Sequence, residues 1–159
     1  MAETGRWALP LLEAGQAQKE MTVNEALARL DLAVQAAVEA RGLNTPPAAP
    51  SVGQAWIVGA DPSGGWLGHT DAVAGWTTGG WRFVEPREGL RAWSAADGCM
   101  LTYANGQWRA GVFRGGVQVV GAQAGPIATP TGGVTVDVEA RTALLAVLTA
   151  MRTHGLIAT

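Results

Sequence analysis

The sequence predicts an α+β protein that is mainly β: a Trp-rich antiparallel meander between one N-terminal and one C-terminal helix. Apolar residues recur at helical spacing near both ends, while the middle consists of short β-type runs separated by glycine-rich turns. Six of the seven Trp lie between Trp56 and Trp108, in a chain with 22 Gly. Since glycine supplies no side-chain volume, we expect the indole rings to fill most of the interior of a small sandwich or barrel.

Residues 1–42 are predicted to form a polar arm followed by a helix. Thr22 and Glu25 have the spacing of a capping box, in which each side chain binds a free backbone N–H of the first turn. Gly42 is expected to end the helix in a left-handed conformation. A single apolar stripe at spacings of three and four joins these two signals: Val23, Leu27, Leu30, Val34 and Val38.

A proline-rich linker is predicted over residues 43–54. Pro46, Pro47 and Pro50 fall within five positions, and proline lacks the backbone N–H that helices and central strands require. The β-region is therefore expected to begin after this segment, at about residue 55.

Residues 55–121 are predicted to contain a series of hairpins. Ala72–Trp76 and Trp81–Val84 flank a four-residue loop, which should bring Trp76 opposite Trp81 as a structural cross-strand pair. Asn105-Gly106 is the strongest short hairpin signal, because both positions of its turn need positive φ. The strands that flank this turn are predicted at Cys99–Ala104 and Gln107–Phe113, and a Gly115-Gly116 turn should precede a strand at Val117–Val120.

The C-terminal segment comprises residues 122–159. Its first part, residues 122–136, is expected to be loop because it contains two prolines and Gly132-Gly133. A helix is predicted from Asp137 to about His154, with Gly155 closing it. We expect the last apolar residues, Leu156-Ile157, to pack back onto the protein. The predicted apolar face of the helix comprises Val138, Leu144, Leu145, Leu148 and Met151.

The composition argues against several classes of partner. Charged residues make up 15% of the chain, the formal net charge is −2, and Lys19 is the one lysine. Binding to nucleic acid or to an anionic membrane requires clustered Lys and Arg. The longest apolar stretch, around residues 143–151, is too short to span a bilayer. Because no apolar run follows a basic start at residues 1–6, we expect no signal peptide and a cytoplasmic origin.

The sequence predicts no catalytic, cofactor-binding or metal-binding residues. His69, His154 and Cys99 are far apart and lack the paired spacing of metal ligands, and we expect Cys99 to be a buried, unreactive thiol. No nucleophile elbow or phosphate loop is present. Glu85 and Glu88 could be taken for the two catalytic carboxylates of a glycosidase. A solvated turn in which they pair with Arg87 or Arg91 is the better interpretation.

The tryptophans are the strongest candidates for binding, because a flat indole face stacks well on the C–H face of a sugar ring. Trp66 lies among Gly64, Gly65 and Gly68, which offer little bulk to bury it, and the neighbouring His69 can donate a hydrogen bond. Trp66 and His69 are therefore the predicted contact site. On this interpretation, changing Trp66 to Ala leaves the fold intact, whereas changing Trp81 to Ala destabilises it.

Three stretches resemble a known family. The first comprises Leu9-Pro10-Leu11-Leu12, Gly15-Gln16-Ala17-Gln18-Lys19-Glu20, Thr22, Asn24-Glu25-Ala26-Leu27 and Leu30-Asp31. The second comprises Trp56-Ile57-Val58-Gly59, Gly65-Trp66, Gly68-His69, Trp76, Gly79-Gly80-Trp81-Arg82-Phe83, Pro86 and Gly89. The third comprises Pro130, Gly132-Gly133, Val136-Asp137, Glu139-Ala140-Arg141 and His154-Gly155-Leu156-Ile157. Together they resemble an uncharacterised domain-of-unknown-function family encoded among structural genes of tailed phages and gene transfer agents.

The resemblance implies a virion or gene-transfer-agent structural subunit, either a head-spike base or a tail-fibre attachment protein, assembled in the bacterial cytoplasm. It implies host-surface attachment, with capsular polysaccharide as the ligand and other capsid, spike or fibre proteins as neighbours. We expect a symmetric homo-oligomer, with five copies at a capsid vertex or three in a fibre. The alternative is a free-standing carbohydrate-binding module, which an exposed row of Trp without a subunit interface would favour. An enzyme acting on surface glycan would need two carboxylates facing each other across a groove.

Overall fold

The computed structural model describes residues 2–13, 15, 19–114, 117–120, 123–131, 137–153 and 156–157. The chain divides into two compact units, Met1–Gly111 and Val112–Thr159. The first unit contains eight strands in two four-stranded sheets that are not closed into a barrel, together with the N-terminal helix. The prediction of a mainly β protein with a helix near each end is confirmed.

The N-terminal helix α1, Lys19–Ala33, is shorter than predicted and shifted towards the N-terminus. Thr22 lies inside the first turns, and Glu25 binds arginine side chains instead of completing a capping box. The helix is followed by Gln35 with φ of 46°, a left-handed conformation that the sequence assigned to Gly42. The predicted apolar stripe is also wrong as a core face, because Leu30 and Val34 are each 51% exposed while Asp31 and Leu32 are buried.

The segment after α1 supplies one strand to each sheet. Strand β1, Ala36–Val38, pairs in parallel with β6, Arg91–Ser94, and β2, Arg41–Leu43, pairs in parallel with β3, Ala55–Val58. The expectation of a helix up to residue 41 was therefore wrong. The strands predicted within residues 55–121 do pair antiparallel with one another, and β1 and β2 add one parallel strand to each sheet. Gly42 does have positive φ (76°), but within β2.

Residues 44–54 contain no helix or strand, as their prolines predicted. Hydrogen bonds join both ends of this segment to the β-region: the Ser63 N–H donates to Asn44 O at 2.8 Å, and the Trp76 N–H donates to Gln54 O at 2.9 Å. The segment is thus a loop packed within the first unit.

Two predicted hairpins are confirmed. Strands β4, Val73–Thr77, and β5, Gly80–Val84, pair antiparallel in a sheet with the order β2-β3-β4-β5. Strands β7, Cys99–Ala104, and β8, Gln107–Ala110, meet at the Asn105-Gly106 turn, where both residues have positive φ (54° and 73°). The second sheet has the order β1-β6-β7-β8.

One buried cluster lies where α1 and both sheets meet. It comprises Leu32, Ala36, Val38, Ala55, Ile57, Val73, Ala92, Leu101 and Trp108. A second cluster lies on the other face of the β2–β5 sheet and consists of Trp56, Val58, Trp66 and Ala74, with Trp81 and Phe83 packed against it. Small residues make the first cluster possible, since a Cβ on Gly75 would stand 2.1 Å from Leu32 Cδ2.

The N-terminal arm binds the C-terminal end of α1 through Asp31. The buried Asp31 carboxylate accepts hydrogen bonds from Thr4 Oγ1 (2.7 Å), Arg6 N (3.0 Å) and Trp7 N (2.8 Å). The Arg6 guanidinium donates to the carbonyls of Asp31, Leu32 and Gln35, which would otherwise lack partners at a helix end. This arm is therefore part of the first unit's structure.

The second unit contains β9, Val112–Arg114, paired antiparallel with β10, Val117–Val120, and the C-terminal helix α2, Val138–Thr153. Asp137 caps α2, because its Oδ1 accepts the Ala140 N–H at 2.8 Å. Ile157, near the C-terminus, is buried and forms a parallel bridge with Ala124, so the expected packing is confirmed for Ile157, whereas Leu156 is 41% exposed. The predicted turn at Gly115-Gly116 and the predicted helix stop at Gly155 lie outside the described residues.

The predicted apolar face of α2 is largely exposed. Among its described residues Leu148 is buried, whereas Val138, Leu144 and Leu145 are exposed. Neither described helix combines the length and apolar content needed to cross a membrane.

Candidate functional site

The structure corrects the predicted exposure of Trp66. Its side chain is 0% exposed, on a 3-10 turn at Gly64–Trp66 that packs against the outer face of the β2–β5 sheet. The ring lies 5.1 Å from that of Trp81 in an edge-to-face arrangement and 6.4 Å from that of Trp56. The glycines beside Trp66 in sequence have no side chains to cover its ring, but Trp56 of β3 and Trp81 of β5 pack against it. Trp66 is therefore a core residue and cannot stack on a sugar.

Trp66 also carries an unpaired polar atom. Its buried Nε1 has no hydrogen-bond partner in the described part of the chain. The neighbouring pair, Trp76 and Trp81, faces across the β4–β5 hairpin with ring centroids 5.0 Å apart, as predicted. The four rings Trp56, Trp66, Trp76 and Trp81 thus form one connected aromatic cluster.

His69, the second residue of the predicted site, lies at the rim of a shallow pocket of about 270 Å³. Its ring stacks on Phe83, with centroids 3.6 Å apart and planes at 5°. Its Nδ1 is 2.8 Å from Glu85 Oε1. Trp66 and His69 therefore do not form a shared binding surface, because one side chain is interior and the other is held by Phe83 and Glu85.

The other charges in this pocket bind one another. Glu25 accepts hydrogen bonds from Arg29 and Arg82. Burial raises the pKa of the Glu25 carboxyl, but the hydrogen bonds and charges of Arg82 and Arg29 outweigh burial and hold the pKa below its ordinary value. The expected pairing of Glu85 or Glu88 with Arg87 or Arg91 does not occur among the described ion pairs.

The most exposed tryptophan of the β-region is Trp93, which was not among the predicted site residues. It is 45% exposed on β6, directly opposite Met100 on β7, which is 47% exposed. Both residues lie on the outer face of the β1-β6-β7-β8 sheet, opposite the buried cluster. Ala37 of β1 is the third member of this cross-strand row. We call Ala37, Trp93 and Met100 the tryptophan row.

A second row on the same face carries positive charge. Arg91 lies opposite Thr102, and Thr102 lies opposite Arg109, so the three side chains cross β6, β7 and β8 in register. Arg91 and Thr102 are each two residues along their strands from Trp93 and Met100, which puts the two rows on one face about 6.6 Å apart. In the part of the chain that the structure describes, neither arginine forms an ion pair. We call Arg91, Thr102 and Arg109 the arginine row.

An alternating pattern in the sequence would have revealed this face. In Arg91-Ala92-Trp93-Ser94 the small residues alternate with the large ones, and the structure buries Ala92 and Ser94 while exposing Arg91 and Trp93. Interpreted as a strand with a period of two, this segment predicts that Arg91 and Trp93 share the outer face.

Two further cavities lie in the first unit. A groove of about 590 Å³ separates the N-terminal arm and α1 from the β4–β5 turn. A pocket of about 440 Å³ is lined in part by Arg41, Asp71 and Trp108. Burial raises the pKa of the Asp71 carboxyl above its ordinary value, and the residue has φ of 61°. No group of three or more His, Cys, Asp or Glu among the described residues is arranged to hold a metal ion.

A known protein family matches most of the first unit. Residues 23–109 match the model of a family described as a protein of unknown function, DUF2793, over more than half of the chain. The chain belongs to the DUF2793 family. The matched region of this DUF2793 protein runs from α1 to β8 and includes both rows of the exposed face. A search of curated proteins finds no match to the DUF2793 chain.

Proposed function

We propose that this protein is a non-catalytic attachment subunit of a tailed-phage or gene-transfer-agent particle. The observation that carries the proposal is the outward-facing tryptophan row, with Trp93 and Met100 nearly half exposed on a four-stranded sheet. The sequence resembles a family encoded among phage and gene-transfer-agent structural genes, and this resemblance is the reason for proposing that the protein belongs to such a particle. The exposed rows supply a surface with which the subunit contacts what lies outside it.

The position of this face suits attachment. Trp93 and Met100 lie on β6 and β7, which are the two interior strands of their sheet, so neighbouring strands hold both backbones in place. Because the backbone at these positions is already ordered, binding a partner carries no cost for ordering it. Trp also presents a large amphipathic surface at low entropic cost.

Purified particles test the proposal. We expect the chain in the particles, and we expect particles carrying Trp93→Ala to adsorb to host cells less well than wild type while containing the same amount of the protein. Trp7→Ala is the matched control, because Trp7 is also exposed (47%) but lies on the N-terminal arm. Absence of the chain from particles, or equal adsorption by wild-type, Trp93→Ala and Trp7→Ala particles, would contradict the proposal.

Self-association is part of the proposed role. Four members of the stripe that the sequence predicted as a core face lie on α1 or directly after it: Val23, Leu30 and Val34 are exposed and Leu27 is half-buried between them. The fifth member, Val38, is buried on β1. A second copy of the same helix offers the same apolar spacing, as the isologous contact of a symmetric oligomer requires. We propose that α1 stripes meet in a homo-oligomer of five copies at a capsid vertex or three in a fibre.

A free-standing carbohydrate-binding module is the second candidate, and the exposed Trp93 favours it too. The two candidates differ in where the protein is found. The module would bind glycan as an isolated chain and would be absent from purified particles, whereas the attachment subunit co-purifies with them.

A further inference from the structure

The arginine row gives the exposed face a charge opposite to that of the whole chain. The protein has a formal net charge of −2, yet the six residues of the two rows include Arg91 and Arg109 and no acidic residue. Arg109 Nη2 lies 3.5 Å from the neutral Gln107 Oε1, and no described carboxylate forms an ion pair with either guanidinium. Two cations that have no acidic partner among the described residues are therefore presented together on a surface that already carries an aromatic ring.

The geometry points to an acidic polysaccharide as the ligand of this face. The inference rests on the proposed attachment role of the same surface and specifies what it contacts. A sugar ring has an apolar C–H side that can stack on the Trp93 indole, and a ring carboxylate can accept charge-assisted hydrogen bonds from a guanidinium. The two rows are about 6.6 Å apart, so one short stretch of saccharide can contact both.

The distance between the two arginines suits a polysaccharide with repeated acidic units. Arg91 and Arg109 are separated by one intervening strand, which puts their backbones about 9.5 Å apart. The Thr102 hydroxyl lies between them and can bind a sugar hydroxyl. A polymer with repeated carboxylates can therefore contact the two guanidinium groups with successive acidic units.

An acidic peptide fits this face less well. Peptides that recognise a sheet commonly add a strand at its edge or insert an amphipathic helix into a groove. Trp93 and Met100 instead lie on the two interior strands, where the backbone groups are already paired across the sheet. The surface offers side chains on a sheet face, which suits a ligand with flat apolar rings and polar substituents.

A matched pair of polymers tests the charge requirement. The probes are polygalacturonic acid and the same polymer after reduction of its carboxyl groups to primary alcohols, each titrated against the full chain by calorimetry. We expect tighter binding of the acidic form, with an affinity that falls as salt is raised. Arg91→Gln should weaken binding of the acidic polymer roughly two- to fivefold, the range typical of an exposed charge pair.

Arg87→Gln is the control, because Arg87 is also an exposed arginine but lies in the loop before β6. Equal affinity for the two polymers, no binding of either polymer, or equal losses in Arg91→Gln and Arg87→Gln would overturn the inference. If neither polymer binds but Trp93→Ala particles still adsorb poorly, the attachment role stands and the ligand is of another class, such as an acidic protein. If the acidic polymer binds as expected but the chain is absent from particles, the proposed particle role fails and the ligand inference stands.

Discussion

At the scale of single residues, Trp66 is buried where the local sequence suggested exposure, and Trp93, for which the sequence analysis predicted no role, is exposed. The glycines around Trp66 indicated exposure, but burial is decided by residues that are distant in sequence, here Trp56 on β3 and Trp81 on β5. Trp93 is preceded by alanine and followed by serine, and it is exposed because those two small residues point into the core. A residue's sequence neighbours therefore predict its turn conformation better than its exposure.

Alanine substitutions separate the two tryptophans. Trp66→Ala should lower the free energy of unfolding by about 3–5 kcal/mol, because a fully buried indole leaves a cavity. Trp93→Ala should change it by about 1 kcal/mol or less, since the lost contacts are those of a half-exposed cross-strand pair. Urea denaturation followed by circular dichroism measures both. A larger loss for Trp93→Ala than for Trp66→Ala would contradict the assignment of faces.

Asp71 provides a prediction about pH. Burial raises the pKa of its carboxyl, so the folded protein holds this proton at pH values where the unfolded chain has lost it. This carboxyl therefore favours folding at low pH, and its contribution is lost as pH rises from about 3.8 through the folded-state pKa. Asp71→Asn removes the buried charge, and asparagine tolerates the positive φ of this position. We expect the substitution to stabilise the protein at pH 7 and to have little effect below pH 3.8.

Chemical denaturation at neutral and acidic pH measures this difference. The exposed Asp61 provides the control, because Asp61→Asn should leave stability unchanged at both pH values. Destabilisation by Asp71→Asn at pH 7 would mean that the carboxylate makes a favourable contact that outweighs its desolvation.

At the scale of elements, the hairpins were predictable and the first helix was not. Asn and Gly readily adopt the positive φ that the turn at Asn105-Gly106 needs, so the local sequence is enough to predict that β7 and β8 pair. The end of α1 depends instead on the Arg6 guanidinium, which binds the last carbonyls of the helix, and on Gln35 in a left-handed conformation. Neither feature has a signal in the helix sequence itself, which is why the prediction continued to Gly42.

The packing of α1 on its sheet depends on Gly75. A Cβ at this position would lie 2.1 Å from Leu32 Cδ2, so Gly75→Ala should destabilise by about 1–3 kcal/mol through overpacking. Leu32→Ala alone should cost about 2–5 kcal/mol. The double variant should cost less than the sum of the two, because shortening Leu32 makes room for the new methyl group.

Thermal and urea unfolding of the four proteins in this cycle measures the coupling between the two sites. Gly125→Ala serves as the control, since a Cβ there meets nothing within 4 Å and should change stability by about 0.5 kcal/mol or less. Strict additivity of Gly75→Ala and Leu32→Ala would show that the helix moves away from the sheet instead of clashing with it.

At the scale of the whole molecule, the two sheets are joined by a segment that local signals could not place. Residues 36–43 contribute β1 to one sheet and β2 to the other, and β1 pairs with β6 more than 50 residues later in the chain. Parallel pairing has no turn signature, because its partners are distant in sequence. The apolar residues of this segment continued the spacing of the preceding helix, so the sequence alone favoured one long helix over a helix and two strands.

The outward stripe of α1 leads to a prediction about assembly. Leu30 is 51% exposed and lies between Leu27 and Val34 on the stripe, so a lysine there should place a charge in the interface between copies without disturbing the fold. We expect Leu30→Lys to shift the protein from an oligomer to a monomer in sedimentation velocity at micromolar concentration, with an unchanged circular dichroism spectrum. Met21→Lys is the control, because Met21 is more exposed but lies on the opposite side of the helix. A wild-type chain that sediments as a monomer, or an oligomer that withstands Leu30→Lys, would show that these stripes do not meet.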